Sequence, residues 1–343
     1  MSNSRLNFSF VLIAPMIFIS CPAAADQCDD LRDPEPRIVA CTQSINSKKW
    51  KGRNQAINYG NRGKAYQGKG DNDRAMADYN QAISIDPKNP VFFNNRGIVY
   101  RNKGDFDRAI ADYTQAISLN PKDHDAYYNR GISYRNKGDL DHAMSDYNQA
   151  ISLNPKDSDF FNNRAFVYRL KGDLDHAISD YSEAIRLDPK NDALYARRGR
   201  AYFYSGNQAK ALADMSQATE LDPTDADEAL WLEIVGQRSG GPSRLSQAIS
   251  KIDMTAWPAP VIRLFLGQLT PAAMLAAADD PNPETKKIRL CKANFYGGEL
   301  SLIKGSKDEA ARMFHIAVND CSHNVVEWDA ANAELKALGS APR

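Results

Sequence analysis

The sequence has no excess of either charge: 43 lysines and arginines stand against 43 aspartates and glutamates. Nothing in that balance draws the chain to nucleic acid or to an anionic bilayer. Histidine is scarce, with five residues: His124, His142, His176, His315 and His323. His142 and His176 sit at equivalent places in a repeating pattern, and His315 and His323 straddle a helix end. Neither pair makes the closed ligand set a metal needs. A phosphate-binding loop, a G-x-S-x-G elbow and an H-E-x-x-H motif are also missing. No catalytic residue, metal or cofactor is expected, which leaves a binding module rather than an enzyme. Glycine and proline, 20 and 17 residues, are too few for a disordered chain, and they fall at regular places.

The N-terminus must be set aside before the fold is read. Arg5 precedes the apolar run "FSFVLIAPMIFIS" and then "CPAAAD". A basic start, a short apolar stretch and an Ala-x-Ala ending describe a secretory signal peptide, residues 1–25, with cleavage after Ala25. The alternative is a degenerate lipobox at "FISC", with Cys21 lipidated as the first mature residue. Either processing sends the chain out of the cytoplasm, to the periplasm or beyond, and only the second ties it to the outer membrane. Apart from Cys21, four cysteines remain: Cys28, Cys41, Cys291 and Cys321. An even number suits disulfides in an oxidising compartment.

Between residues 57 and 225 the chain repeats five times at a spacing of 34. One column is aromatic (Tyr59, Phe93, Tyr127, Phe161, Tyr195). Four residues on, it is small (Gly63, Gly97, Gly131, Ala165, Gly199), and three further on it is tyrosine (Tyr66, Tyr100, Tyr134, Tyr168, Tyr202). These spacings put all three on one helical stripe. Glycine then stops the helix at Gly70, Gly104, Gly138, Gly172 and Gly206. A second helix carries Ala75, Tyr79, Ala82 and their equivalents, and proline closes each unit from Pro87 to Pro223. Small residues let two antiparallel helices approach, and each pair needs a neighbour to cover its apolar face.

The pattern resembles the tetratricopeptide repeat, which implies an all-α, right-handed superhelical solenoid of helix pairs. Residues 26–56 read as an N-terminal capping half-repeat, because "RIVACTQSIN" restates "RAIADYTQAIS". In that register Cys28 falls on a first helix and Cys41 on the second, so a Cys28–Cys41 bridge clasps the cap. Residues 226–343 form a C-terminal helical region. There "DADEALWLEIVGQRSGG" and "SRLSQAISKID" read as one more helix pair, and "AWPAPVIRLFLGQLTPAAMLAAA" as a packed linker with a short helix. A further degenerate repeat spans about 291–323, with Gly298, Gly305, Ala310, Phe314 and Ala317 in the motif positions. Cys291 and Cys321 lie at the meeting ends of its two helices, so a Cys291–Cys321 bridge is expected.

"WPAPVIRLFLGQLT", "NFYGGELSLIKG" and "HNVVEWDAANAELKAL" are similar to the C-terminal half of the bacterial lipoprotein family typified by NlpI. With the repeats, the likeness covers most of the mature chain. It implies a cell-envelope adaptor for murein hydrolases and a periplasmic protease, often dimeric.

The arginines divide into two classes. At about 100° per residue, Gly97 and Tyr100 fall within about 40° of Phe93, and Arg96 about 60° to one side, at the edge of the buried stripe. Arg62, Arg96, Arg130, Arg164 and Arg198 are each followed sixteen residues later by an aspartate: Asp78, Asp112, Asp146, Asp180 and Asp214. Half-buried arginine usually has a carboxylate partner, so these read as structural ion pairs. Arg101, Arg135 and Arg169 lie on the other side of the helix with Asn94, Tyr128 and Asn162, and no acid tracks them. They are expected to line a concave groove for a peptide or its carboxyl end, against the plainer reading of a solvated basic edge. The clamp by which some tetratricopeptide proteins grip chaperone tails is set aside, because Gly60, Asn94, Tyr128 and Lys64, Ile98, Ile132 occupy its places. Two function classes stand: an envelope adaptor with protein clients, or an assembly protein whose repeats serve only oligomerisation.

Overall fold

The computed structural model describes Cys28, residues 32–321 and residues 325–340. The expected signal peptide, Cys21 and His323 lie outside the described residues. The chain divides after Lys103 into two compact units.

The first unit holds α1 (Pro34–Asn46), α2 (Gly52–Gly68), α3 (Asn72–Ile85) and α4 (Pro90–Asn102). The second holds α5 (Phe106–Leu119), α6 (His124–Asn136), α7 (Leu140–Leu153), α8 (Ser158–Leu170), α9 (Leu174–Leu187), α10 (Asp192–Tyr204), α11 (Gln208–Leu221) and α12 (Ala226–Arg238). It continues through α13 (Leu245–Ala248), α14 (Ala259–Phe265), α15 (Pro271–Ala276), α16 (Pro283–Ile303), α17 (Lys307–Asp320) and α18 (Val326–Ala337). No strand occurs among the described residues. The architecture is all-α, with consecutive helices packed in pairs.

The hairpin turn is written into three residues. After α2, Gly70 takes a φ of +76°, which lets the Asp71 N–H reach back to the Tyr66 carbonyl (2.9 Å) and the Gly70 N–H to that of Gln67 (2.9 Å). These bonds satisfy carbonyls the helix leaves open. The Asp71 carboxylate then accepts from the Arg74 N–H at 3.1 Å and so caps α3. One residue thus ends one helix and starts the next. Asp139 and Asp173 do the same before α7 and α9.

Within a hairpin the second helix offers a fully buried ring, Tyr79, Tyr147 or Tyr181. It meets the small column of the first helix so closely that a methyl group on Gly131 would stand 2.8 Å from the Tyr147 ring. The repeats bury their apolar residues in small successive clusters, as in a quasi-one-dimensional stack. The larger core lies further on. It runs from Phe203 through Trp231, Phe295 and Phe314 to Leu335, with the Trp231 and Phe295 rings 5.4 Å apart.

The C-terminal region departs from the sequence reading in one place. The segment 243–253 forms a single turn, α13, rather than the second helix of a pair. Gly240, Gly241 and Pro242 break the chain after α12, and the buried Glu233 carboxylate takes the N–H groups of Arg244 (2.7 Å) and Leu245 (3.3 Å). A side chain thus does locally what another helical turn would do. By contrast, α16 and α17 form a full hairpin, with Gly298 against Phe314.

Disulfides join Cys28 to Cys41 and Cys291 to Cys321. Cys28 lies in a turn before α1, not on a helix of its own. Proline at positions 34 and 36 sets the start of α1 after it.

Candidate functional site

The first class of arginines forms two-pronged pairs. Arg62 Nε and Nη2 each lie 2.8 Å from the Asp78 carboxylate, and Arg130 repeats this with Asp146 at 2.8 Å. Arg164 meets Asp180 at 2.7 Å on both prongs, and Arg198 meets Asp214 at 2.7 and 2.8 Å. In each case the third nitrogen reaches the preceding second helix: Thr42 from Arg62, Thr114 from Arg130, Asn148 from Arg164 and Ser182 from Arg198. Two rings flank each guanidinium, as Phe161 and Tyr168 flank Arg164. Hydrogen bonding to Asp180 holds the Arg164 guanidinium above its ordinary value against the opposing effect of burial. Arg96, in the first unit, donates to Asn80 at 2.7 Å, and Asp112 is buried in the second unit.

The second class sits on the other side of the first helices. Asn94 and Arg101 are partly exposed on α4 of the first unit. In the second unit, Tyr128, Arg135 and Asn162 gather around one turn of α8. Arg135 donates to Asn163 Oδ1 (2.6 Å) and Asn136 Oδ1 (3.2 Å), and its guanidinium lies over the Phe166 ring. The Tyr128 hydroxyl accepts from Asn163 Nδ2 at 2.9 Å. Asn162 Oδ1 accepts from Arg197 Nη1 at 2.7 Å.

The expectation that no acid accompanies these arginines fails at Arg169. Its Nη1 lies 2.8 Å from the Asp329 carboxylate of α18, and both side chains are mostly buried. The acid comes from a distant helix, so no repeat spacing announces it. Further carboxylates of α18 meet cations on other helices: Glu334 is bonded to Arg238 of α12 at 2.5 Å, and Glu327 lies 3.7 Å from Lys292 of α16. Glu299, fully buried on α16, shares Arg238 at 3.2 Å. Burial, with Glu334 beside it, pushes Glu299 up to about 8.

Sequence reading missed Arg197, Arg200 and Arg238. A signal for the first was present: Arg197 stands where the other repeats carry Asn61, Asn95, Asn129 and Asn163. Arg200 is paired with Glu228 at 3.2 Å. Arg135, Arg197, Asn162, Asn163, Phe166 and Trp328 help to line a cavity of about 680 Å³ between α6, α8, α10 and the start of α18. Among the described residues there is no cluster of three metal-ligating side chains, and no helix is long and apolar enough to cross a membrane.

Tetratricopeptide repeat models match residues 94–158, 146–178 and 193–225, and a further such model matches 63–104 and 167–203. Among solved structures, a tetratricopeptide repeat protein from Parabacteroides merdae is 20% identical, with 84% of this chain and 95% of that one covered and a TM-score of 0.51. That likeness is one of fold. The protein MamA aligns at 27% identity over 47% of this chain and 94% of its own, with a TM-score of 0.44. YrrB, described as a tetratricopeptide protein with an unusual peptide-binding site, aligns at 25% over 56% and 96%, with a TM-score of 0.46. Two-helix hairpins, closing glycines and matched models agree: residues 63–225 are tetratricopeptide repeats, and the chain is a tetratricopeptide repeat protein.

Proposed function

We propose that the chain is a non-enzymatic scaffold of the bacterial cell envelope that holds protein or peptide clients, such as murein hydrolases or a periplasmic protease, against its first-helix face. Tetratricopeptide repeats are protein-binding modules, and two disulfides suit an oxidising compartment. The observation that carries the reading is the roomy cavity on the first helices, where arginines, carboxamides and aromatic rings converge. Arg101, Arg135, Asn94 and Tyr128 are assigned to client contact. Arg169 belongs there only through Asp329, which it already holds.

The test is crosslinking in living cells with a photoreactive residue at Asn136, on the cavity wall, and at Arg312, an exposed site on α17. Adducts with a murein hydrolase or a periplasmic protease, identified by mass spectrometry, are expected at Asn136 only. Adducts solely between copies of the chain would overturn the reading in favour of oligomer assembly.

A further inference from the structure

A buried tyrosine hydroxyl calls for a hydrogen-bond partner. In the first unit, the Tyr79 hydroxyl donates to Gln67 Oε1 at 2.9 Å. Tyr181 stands at the same position three repeats on, and there Arg169 takes the place of Gln67. A guanidinium has donors only, so the acceptor is lost with the glutamine. Tyr181 is fully buried, and its hydroxyl has no hydrogen-bond partner among the described residues. A buried donor left in that state is costly unless something else accepts from it.

Tyr181 lines a second, small cavity of about 20 Å³, together with Arg169, Arg197, Arg200 and Tyr204. Val326 and Ala330 bring α18 to its wall. The Tyr204 hydroxyl is buried and likewise has no partner among the described residues. Burial, with the Glu334 and Glu299 carboxylates nearby, holds Tyr204 well above the usual phenol range, so it stays a donor. Arg169 is paired with Asp329 at 2.8 Å and Arg200 with Glu228 at 3.2 Å. Arg197 instead donates to the neutral Asn162 Oδ1 at 2.7 Å, and the Asp159 and Glu228 carboxylates act on it through charge alone. Burial and the charges of Arg200 and Arg169 hold its guanidinium below the ordinary value, against the opposing influence of Tyr181 and Glu228. No carboxylate lines the cavity itself among the described residues, so its polar wall consists of guanidiniums and hydroxyls.

A space of this volume holds one particle about the size of a water molecule. It is too small for a carboxylate, a phosphate or a sulfate. A water molecule would bring two protons of its own to a wall rich in donors, whereas a halide accepts from every side. We propose that the cavity is a halide site, in which one chloride ion accepts from the Tyr181 and Tyr204 hydroxyls and from the guanidiniums of Arg169 and Arg197, and so fastens α18 to α8 and α10. The charge of the ion offsets the cost of burying Arg197 without a paired carboxylate. Phe166 and Arg197 also line the larger cavity, which gives the ion its way in. The site admits no client group and does not depend on the scaffold reading of the first-helix face.

The experiment uses the full mature chain in potassium chloride and in potassium gluconate at equal ionic strength, with crystals grown in bromide measured at the bromine absorption edge. Chloride is expected to raise the melting temperature by roughly 3 °C for each tenfold rise above its dissociation constant. Hydrogen exchange in α18 should be faster in gluconate, and an anomalous bromide peak should stand beside the Tyr181 hydroxyl. Tyr181→Phe and Arg197→Gln should each remove most of the chloride effect, and Arg186→Gln, at an exposed pair on α9, should keep it. If Arg197→Gln fails to fold, Tyr181→Phe, which removes a single oxygen atom, carries the comparison. Equal melting in the two salts without a bromide peak would mean that water fills the cavity, and it would overturn the proposal. A bromide peak with no effect of chloride on melting or on α18 would mark an adventitious ion only and overturn it too. So would a chloride effect of the same size in Tyr181→Phe.

Discussion

Arg164 and Asp180 show why the same side chain type does two jobs on one helix. The Asp180 carboxylate is buried and takes both prongs of the guanidinium, which itself lies beside the Phe161 and Tyr168 rings. Arg164→Ala should leave a buried carboxylate unpaired and lower stability by about 1 to 3 kcal/mol in urea denaturation. Arg186→Ala, which removes a solvated pair with Glu183, should leave the midpoint almost unchanged. A second titrating point sits at Glu299. Its folded pKa of about 8 lies above its ordinary 4.5, chiefly because it is buried and secondly because Glu334 is near. The sign follows from proton binding: the folded state holds a proton that the unfolded state gives up. The associated stability is fully present below about pH 4.5 and is lost as the pH rises through about 8. The melting temperature should therefore fall across that window, and Glu299→Gln should flatten the decline and raise stability at alkaline pH. An identical pH profile in the variant would show that Glu299 does not titrate there.

The elements were legible wherever their cause is local. Gly70 with Asp71, and each later glycine and its following cap, mark both ends of a turn, and the 34-residue spacing marks the next one. The Arg62–Asp78 kind of contact is legible too, because its sixteen-residue interval recurs. What escaped reading depends on tertiary placement. The Glu233 side chain caps the single turn of α13 where the sequence suggests a full second helix, and Asp329 reaches Arg169 from a segment with no repeat register. Arg197 was visible as a break in an asparagine column, but only the fold shows that it shares a cavity with Arg135. The α16–α17 hairpin is held as an element by Cys291–Cys321, thirty residues apart. On the chain-entropy account that closure is worth about 3 to 4 kcal/mol, and the thirteen-residue closure at Cys28–Cys41 about 3. Replacing Cys291 and Cys321 together by alanine should lower the chemical denaturation midpoint by the larger amount. Non-reducing peptide mapping of the parent chain should show both bridges and no free thiol among these four cysteines.

At the scale of the molecule, the second unit ends by folding its last helix back across its own repeats. The repeats alone are a stack in which each hairpin stabilises its neighbours, so damage should stay near where it is inflicted. α18 changes that, because one helix places Asp329 on α8, Glu334 on α12 and Glu327 near α16. Removing it takes away an acidic partner from Arg169, Arg238 and Lys292 together and uncovers Leu335 and its neighbours in the core around Trp231 and Phe295. A chain stopped after Cys321 should therefore lose several kcal/mol, because Arg169 loses its carboxylate, Arg238 and Lys292 keep only Glu299 and Asp227, and apolar surface is exposed. Hydrogen exchange on that chain should show faster exchange in α12, α16 and α17, slower loss in α8 and α10, and no change in α1 to α4 of the first unit. Uniform loss of protection over α5 to α17 would mean that α18 holds the whole second unit as one cooperative block. No loss anywhere would mean that it is a passive cover, and that its carboxylates contribute nothing to holding the arginines of the first helices in place.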